Sequence, residues 1–321
     1  MALQKQIFID PSPVRDPKFY VQARKLGRKL FKISALRRFH PHLRRLSAVA
    51  SPAGHVSIQL TPANPSKRHC DTITVLSANL WHDWPRHRLL KERLQGFVRL
   101  AEQNNADVVL LQEVSRTPHV QSDQYIAQEL GMAWVYSRAN GHEAIGFEEG
   151  LAVFSRFPLE KPLLHQLGTS TNPFVRRLVL GVSVTTPCGD LLVFSTHLSI
   201  LPRQNRNQQA HLRSWISQLA GDQTAVIAGD FNAHETTPQI RQTQLRWQDT
   251  YRSLHPDSDG TTHLLHWPWG NVLRRKRLDY IFLHDQRSNW RIDEARHVFC
   301  PKAPLSDHYA VLTRLTPEAQ Q

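Results

Sequence analysis

Residues 226–232 read Val-Ile-Ala-Gly-Asp-Phe-Asn, a short apolar run that ends in two polar side chains, Asp230 and Asn232. The run predicts a buried strand, and residues two apart in extended backbone direct their side chains to the same side. A carboxylate in this position can orient a water molecule while the amide binds a phosphate oxygen. An ordinary turn after the strand is the alternative. We therefore predict that this strand ends in an active site.

Three further apolar runs are bordered at one end by polar side chains of the same kind. They supply Asn79, Glu113, and the pair Asp307 and His308. Taken singly, Asn79 is also explained as a turn residue and Glu113 as a surface glutamate. Taken together, their carboxylate and amide oxygens suit a small hard cation such as Mg²⁺. Because open-sheet enzymes place such groups where strands run into loops, the segments predict a shared magnesium and phosphate site.

Composition divides the chain into two unequal parts. The 321 residues carry a net charge of +13, but residues 1–70 hold 14 Lys and Arg against only Asp10 and Asp16. That segment therefore carries +12 and the remainder +1, so the main part has no overall field that would attract DNA. The three cysteines are far apart and form neither a metal-type pair nor a disulfide framework, and we expect a cytoplasmic protein.

Residues 1–70 are predicted to be a basic N-terminal extension, and 71–317 the catalytic domain. Within the extension, residues 18–39 place apolar side chains on one helical face and cations on much of the rest, followed by a proline-containing linker. This helix is interpreted as packing on the domain, as binding a membrane surface, anionic lipid or nucleic acid, or as a targeting peptide. No apolar run has the length of a secretory or membrane-spanning segment.

From residue 71 onward, short apolar runs alternate with amphipathic segments. A Pro-Cys-Gly-Asp turn at 187–190 predicts a hairpin. Hairpins mixed with crossovers predict two mixed β-sheets packed face to face with helices outside. The strands are predicted at 73–76, 107–111, 151–154, 178–185, 191–196, 225–228, 278–283 and 309–312, and the helices around 90–101 and at 208–219.

Six polar motifs follow one another along the main part of the chain: Ala78-Asn79-Leu80, Gln112-Glu113, Thr196-His197-Leu198, Gly229-Asp230-Phe231-Asn232, Leu278-Asp279-Tyr280 and Ser306-Asp307-His308. Their order resembles the endonuclease/exonuclease/phosphatase superfamily, with its deoxyribonuclease-I-like fold. The resemblance covers about residues 72–315 and implies an α/β fold, a four-layered α/β/β/α sandwich of two mixed β-sheets flanked by helices.

The resemblance implies roles for the residues of one His-carboxylate pair. The carboxylate at Asp279 holds His308, which acts as a general base or stabilises the transition state. Asp230 is expected to activate the nucleophile or bind metal, and Asn232 to contact the transition state. The metal, Mg²⁺ with Mn²⁺ as a substitute, is expected at three residues, of which the first can also bind the substrate phosphate: Asn79, Glu113 and Asp307.

A second set resembles the pancreatic deoxyribonuclease branch of the superfamily. His197 and Glu149 are similar to its second His-carboxylate pair, in which the histidine protonates the leaving oxygen. Arg177 matches a phosphate-contacting arginine, although Arg176 is an available neighbour. The reaction implied is hydrolysis at phosphorus by in-line attack of an activated water.

The substrate is left open between two classes. Arg274-Arg275-Lys276-Arg277 and the preceding Trp267 and Trp269 would hold the phosphates and bases of DNA or RNA, which makes a nuclease the first hypothesis. The same residues would also bind lipid headgroups, as in a membrane-surface phosphatase or phospholipase-C-like enzyme acting on sphingomyelin or phosphoinositides. An exposed charge run is also often only a solvated face. The intact motifs argue against a third hypothesis, a catalytically inactive binding module.

Overall fold

Two mixed β-sheets position every candidate residue. The computed structural model describes residues 56–63, 71–142, 146–168, 175–266, 272–298 and 305–318. The larger sheet has seven strands, in the spatial order β1 (Val56–Gln59), β4 (Ala133–His142), β5 (Phe147–Ser155), β3 (Val108–Arg116), β2 (Ile73–Asn79), β15 (Ala310–Pro317) and β14 (Trp290–Val298).

The smaller sheet has six strands, and a two-stranded hairpin stands beside it. In spatial order the six are β10 (Gln248–Asp249), β13 (Asp279–His284), β9 (Ala225–Asp230), β8 (Gly189–His197), β7 (Leu178–Thr186) and β6 (Leu159–Gln166), and the hairpin is β11 (His263–His266) with β12 (Val272–Lys276). The helices are α1 (Leu90–Gln103), α2 (Ser122–Leu130), α3 (Pro202–Ala220), α4 (Pro238–Gln244) and α5 (Thr250–Leu254).

Alternation along the central strands builds four layers. In β3, Val108 and Leu110 pack between the sheets, while Val109 and Leu111 pack under α1 and α2. The smaller sheet is also covered on both faces, since its other side packs against α3 and α4. Strands buried on both faces read as continuous apolar runs, which is why the sequence reveals them. The predicted α/β/β/α sandwich is confirmed.

Two of the elements that the sequence did not predict, β14 and α2, lack such runs. Strand β14 alternates polar and apolar residues at the edge of the larger sheet, and most of its side chains stay partly or fully exposed. Helix α2 is largely polar. An edge strand and a surface helix each bury only one side, so their apolar signal is weak.

The larger sheet begins earlier than the sequence interpretation placed it. Residues 56–59 belong to the predicted linker, but in the structure they form β1, which pairs antiparallel with residues 134–137 of β4. The predicted helix at 18–39 lies outside the described residues. No helix in the described ranges is long and apolar enough to cross a membrane.

One of the four cations at 274–277 is a buried structural residue. The side chain of Arg277 is 1% exposed and donates to both Asp249 oxygens at 2.6 and 2.8 Å and to Glu235 at 3.1 Å. Glu235 also accepts two hydrogen bonds from Arg252, at 2.7 Å each. The expectation that Arg277 contacts substrate is wrong, because its guanidinium is consumed in this network. Trp267 and Trp269 lie outside the described residues.

Replacing Arg277 by methionine will lower the free energy of unfolding by about 3–5 kcal/mol, because Asp249 is left as a buried charge without its main partner. Urea unfolding followed by circular dichroism measures the change. Arg275→Met is the matched control: its side chain is 63% exposed and only loosely paired with Asp259, so we expect a change within about 0.5 kcal/mol. Equal changes in the two variants would contradict the structural role of Arg277.

The hydrogen bonds of Glu235 to Arg252 and Arg277 make the stability of the protein decrease at acid pH. Burial opposes ionisation of Glu235, but the hydrogen bonds and charges of Arg252 and Arg277 outweigh it and lower its pKa from 4.5 to about 2. The stabilisation is therefore complete above pH 4.5 and is lost as the pH falls towards 2. Unfolding measured over this window will show a steeper pH dependence for the wild type than for Glu235→Gln. Parallel curves would contradict the assignment.

Candidate active site

Three candidate residues form one row across neighbouring strands of the smaller sheet. Antiparallel pairing of β13 with β9 sets Asp279 beside Asp230, and parallel pairing of β9 with β8 sets His197 on the other side. The approach of β9 to β8 requires Gly229, whose φ is +148° and where a Cβ would meet Thr196 O at 1.9 Å. Strand register therefore gathers residues that are far apart in sequence.

His308 is held against this row by a carboxylate, as the family resemblance implies. Its Nδ1 lies 2.8 Å from Asp279 Oδ2, and its Nε2 lies 3.9 Å from Asp230 Oδ2. The His308 ring is nearly buried, with an exposed side-chain fraction of 8%. One carboxylate thus orients the imidazole while the other nitrogen faces the second carboxylate.

Burial and neighbouring charges shift the pKa values of His308 and Asp230, with different consequences for the proton that each holds. Burial disfavours the charged imidazolium of His308, but Asp279 and Asp230 outweigh it and raise its pKa to about 10. Burial raises the pKa of Asp230, with Asp279 adding to the effect and His308 opposing it. Near neutral pH the site therefore holds an imidazolium beside a carboxyl group that accepts a proton readily.

Asn79 connects the two sheets at the site. It ends β2 in the larger sheet, and its Nδ2 donates to Glu113 Oε1 at 3.1 Å and to Asp230 Oδ2 in the smaller sheet at 3.2 Å. Its Oδ1 accepts from Trp81 N at 2.9 Å. Both hydrogens of the amide nitrogen are therefore directed at carboxylates, while the side-chain oxygen keeps a second lone pair. The geometry is compatible with a metal-binding role of Asn79 through Oδ1 as well as with a phosphate-binding role.

Glu113 leaves the ladder of β3 at a bulge. The β3–β5 register shifts between Leu111 and Val114, and Glu113 has a φ of +53°. A bulge re-aims a side chain out of the regular alternation, here towards Asn79. The carboxylate also accepts from His82 N at 3.1 Å and lies 3.4 Å from His82 Nε2.

Asp307 lies at the solvent side of the same cluster. Its side chain is 39% exposed, and His263 Nε2 is 4.0 Å from its Oδ2. Among the described residues, two groups of three side chains bring possible ligand atoms within 4.8 Å of one another: Asp230 with Asp279 and His308, and His263 with Asp307 and His308. Since His308 is a protonated partner of Asp279, it is a poor ligand in either group, and the carboxylates and His263 are the better candidates.

The carboxylates of the site lie close enough to repel one another, as they do where a protein binds a cation. The pKa of Glu149 is raised by burial and by the charge of Glu113. Partial burial and Glu113 also raise the pKa of Asp307, although His308 opposes this, and Glu113 contributes to the raised pKa of Asp230. A divalent cation beside Glu113 would relieve this repulsion. The hard oxygen donors therefore fit Mg²⁺, with Glu113 and Asp307 as the residues to hold it.

Asn232 is oriented by a turn rather than by strand alternation. Strand β9 ends at Asp230, and Asn232 has a φ of +48°. Asp230 Oδ1 accepts from Asn232 N at 2.8 Å, and Asn232 Nδ2 donates to Leu198 O at 3.0 Å. The extended-backbone reason for placing both side chains on one side was wrong. Instead, the Asp230 side chain closes an Asx turn on the backbone of Asn232, and asparagine tolerates the left-handed conformation that this turn requires at position 232.

The second His-carboxylate pair is not formed as the sequence predicted. Glu149 lies opposite Asn140 in the β4–β5 ladder and accepts a short hydrogen bond from its Nδ2. His197 lies instead 3.5 Å from Asp230, its neighbour in the parallel ladder. Burial, with the charges of Arg177 and His308, lowers the pKa of His197 well below its usual range. A neutral His197 is a poor acid, which counts against protonation of the leaving oxygen.

The structure distinguishes Arg177 from its neighbour Arg176. Both arginines line a small cleft with Glu149 and His197, but Arg176 is buried and its backbone N–H donates to Asn140 Oδ1 at 2.6 Å. The charge of Arg177 lowers the pKa values of both Glu149 and His197, so its guanidinium faces the site. Its Nε is buried and has no hydrogen-bond partner among the residues that the structure describes. The structure thus favours Arg177 as the phosphate contact.

Three polar residues at the site were missed by sequence reasoning. His82 contacts Glu113, Asn140 contacts Glu149, and His263 contacts Asp307. Only His82 carried a local signal, because it follows the Asn79 motif by three positions. The other two reach the site through strand pairing, which the sequence did not reveal for β4 or β11.

A sizeable cavity in the described part of the chain lies away from these residues. It measures about 570 Å³ and is lined by Asp190, Thr224 and Trp290, among others. Asp190 and Thr224 lie at the start of β8 and just before β9, whereas the candidate residues stand at the ends of these strands. The cavity therefore opens at the opposite end of the sandwich from His197 and Asp230.

Solved structures with a similar fold come from several organisms. A protein described as an endonuclease/exonuclease/phosphatase from Beutenbergia cavernae matches with a TM-score of 0.62 and 20% identity, over 78% of this chain and 72% of that one. A family protein from Leptotrichia buccalis matches with a TM-score of 0.64 and 18% identity, over 77% and 100%. TDP2 from Caenorhabditis elegans matches with a TM-score of 0.57 and 16% identity, over 76% and 74%.

Comparison with curated proteins gave no match. The sequence model of the Endonuclease/Exonuclease/phosphatase family matches residues 76–308, which include every candidate site residue. Members of this family are generally hydrolases that act on phosphoester bonds. The chain belongs to the endonuclease/exonuclease/phosphatase family.

Proposed function

We propose that this protein is a Mg²⁺-dependent phosphodiesterase that hydrolyses DNA or RNA by in-line attack of an activated water. The observation that carries the proposal is the convergence on Asp230. His308 Nε2 lies 3.9 Å and His197 Nε2 3.5 Å from Asp230 Oδ2, while Asn79 Nδ2 donates to it at 3.2 Å. A buried carboxyl group surrounded by proton and hydrogen-bond donors suits general-base work on water next to an anionic substrate.

Asp230 and His308 take complementary parts in this reaction. Asp230 orients the water and accepts its proton, since burial raises the Asp230 pKa. His308, kept as an imidazolium by Asp279, stabilises the negative charge that develops on the phosphoryl oxygens. This assigns His308 the stabilising role of the two that the family resemblance allows.

The remaining residues bind the phosphate and the metal. Arg177 supplies hydrogen bonds to phosphate oxygens, and Asn79, whose Nδ2 donates to Glu113 and Asp230, positions these two carboxylates. Asn232, oriented by the bond from its Nδ2 to Leu198 O, contacts the transition state. His197, neutral near pH 7, donates a hydrogen bond to the phosphoryl group. Glu113 and Asp307 would hold Mg²⁺, or Mn²⁺ as a substitute, which polarises a phosphoryl oxygen and supports the leaving group when bound.

Nucleic acid is the favoured substrate because of the hairpin beside the site. Arg274 and Lys276 stand on β12, next to His263, and neither makes an ion pair with a carboxylate of the described residues. The lipid-headgroup alternative is supported by exposed apolar side chains on the same hairpin, including Leu265 and Leu273, which would suit a membrane surface. The assembled site counts against an inactive binding module.

The first test is a substrate panel with Mg²⁺: single- and double-stranded DNA, RNA, sphingomyelin vesicles and phosphoinositides. We expect turnover of nucleic acid, and His308→Ala should lower kcat by about 10²–10⁴-fold because the imidazolium no longer stabilises developing charge. His211→Ala, which removes an exposed histidine on α3, is the matched control and should retain activity. Turnover of lipid alone would exclude the nuclease, and full activity of His308→Ala would exclude the site.

The metal site can be tested without measuring turnover. Mg²⁺ that binds only the folded protein will raise its stability, by about 2.7 kcal/mol at a concentration of one hundred times Kd. Glu113→Gln removes a charged ligand, so the concentration needed for a half-maximal rise in Tm should increase roughly tenfold or more. Glu102→Gln, an exposed position on α1, should respond as the wild type. If the Tm of Glu113→Gln rises with Mg²⁺ at the same concentrations as that of the wild type, Glu113 is not a metal ligand.

A further inference from the structure

The hairpin of β11 and β12 is anchored to the catalytic His308–Asp279 pair. His263 and His308 form an isolated antiparallel bridge, and their rings lie 4.5 Å apart. Tyr309 N donates to Thr262 O at 2.7 Å, and Thr262 Oγ1 accepts from Asp279 N at 3.1 Å. The base of the hairpin therefore holds the backbone next to both members of the pair.

One face of this hairpin continues the wall of the active site. His263 pairs with Lys276, and Leu265 pairs with Arg274. Cross-strand partners share a face, as do residues two apart in a strand. All four side chains therefore lie on the face on which the His263 ring contacts His308. Lys276 is level with His263, and Arg274 lies one step further out, about 7 Å away.

Among the described residues, Lys276 and Arg274, on this face, lack the ion pair that Arg275 makes on the opposite face. Arg275 pairs with Leu264 on the opposite face, and its guanidinium lies 3.9 Å from Asp259. Lys276 and Arg274 make no such ion pair within the described ranges, and burial together with the charge of Arg274 lowers the pKa of Lys276. Two cations that repel each other without an anion between them make this face complementary to a polyanion.

We infer that the face formed by His263, Leu265, Arg274 and Lys276 binds the strand of a nucleic acid that extends from the scissile phosphate. The inference rests on the proposed function, since His308 must act at that phosphate for the strand to continue along the hairpin. Cations repeated along an extended direction suit regularly spaced phosphates better than one headgroup. Leu265, which is 46% exposed and pairs with Arg274, offers an apolar contact to a sugar or base.

Binding without catalysis tests the face directly. Anisotropy of a fluorescently labelled oligothymidylate, in EDTA to prevent cleavage, gives Kd for the full-length protein across a salt series. We expect Arg274→Gln/Lys276→Gln to bind roughly tenfold more weakly, with a salt slope smaller by about 1.4 because two phosphate contacts are lost. Arg275→Gln removes the same type of charge from the same strand on the opposite face and should change Kd by about twofold at most.

Kinetics distinguish strand binding from damage to the site. With Mg²⁺, the double variant should raise KM for the oligonucleotide roughly tenfold more than for bis(4-nitrophenyl) phosphate, which is too short to reach Arg274. Circular dichroism and Tm establish that the variants fold. Equal effects on the two substrates, or equal effects of the double variant and Arg275→Gln, would overturn the inference.

The other outcomes separate this inference from the proposed function. If the wild type binds oligothymidylate through Arg274 and Lys276 but does not cleave nucleic acid, the nuclease assignment fails and the binding face stands. If the wild type cleaves nucleic acid and the double variant binds it normally, the binding face fails alone. If the double variant loses binding only to sphingomyelin and phosphatidylserine vesicles, the face is a membrane contact and the inference is wrong.

Discussion

The hydrogen bonds from Asn79 to Glu113 and Asp230 cross between the two sheets at the point where both carry reactive groups. Below them, Gln112 Nε2 donates to Ser195 Oγ at 3.0 Å, and Ser195 Oγ donates to Leu111 O at 3.0 Å. These polar contacts lie in a sandwich otherwise filled by apolar side chains. Because a buried polar group without a partner is costly, they allow only one relative position of the sheets. The geometry of the site depends on that position.

Local electrostatics gives chemically similar side chains different roles in the site. Asp230 and Asp279 are adjacent in one row, yet Asp279 is committed to His308 while Asp230 is contacted by both Asn79 and His197. Burial penalises a charge on every one of these groups, so each ion needs a counter-ion to persist. His308 finds two carboxylates and remains an imidazolium, whereas His197 faces the cation of Arg177 and remains neutral. Position, not residue type, separates the two histidines.

Arginines illustrate the same separation between structural and functional roles. Arg277 and Arg274 are close in sequence, but Arg277 turns inward to Asp249 and Glu235 and stabilises the region before β13. Arg275 and Arg274 lie on opposite faces of β12, and only the first has a carboxylate within reach among the described residues. A run of charge in the sequence is therefore not one surface. Strand alternation and burial distribute it among three environments.

Most of the site could be predicted because its residues end strands with strong apolar signals. Asn79 and Asp230 end strands that are buried on both faces, and Asp279 begins another, so each marks an abrupt boundary of a continuous apolar run. His263 and Asn140 could not be predicted, because β11 is short and β4 ends in polar residues without such a boundary. Glu113 was found from its position, but the bulge that aims it depends on pairing with β5.

The sequence by itself determined the four layers, the ends of the strands and the residue types of the site, since these follow from local periodicity and from the chemistry of the side chains. Only the tertiary structure decided which groups meet. It paired Glu149 with Asn140 and moved His197 to Asp230. It also buried Arg277 and left Arg274 exposed on the hairpin beside His308. Partners are fixed by strand register and by the packing of one sheet on the other, and neither is encoded in any single segment.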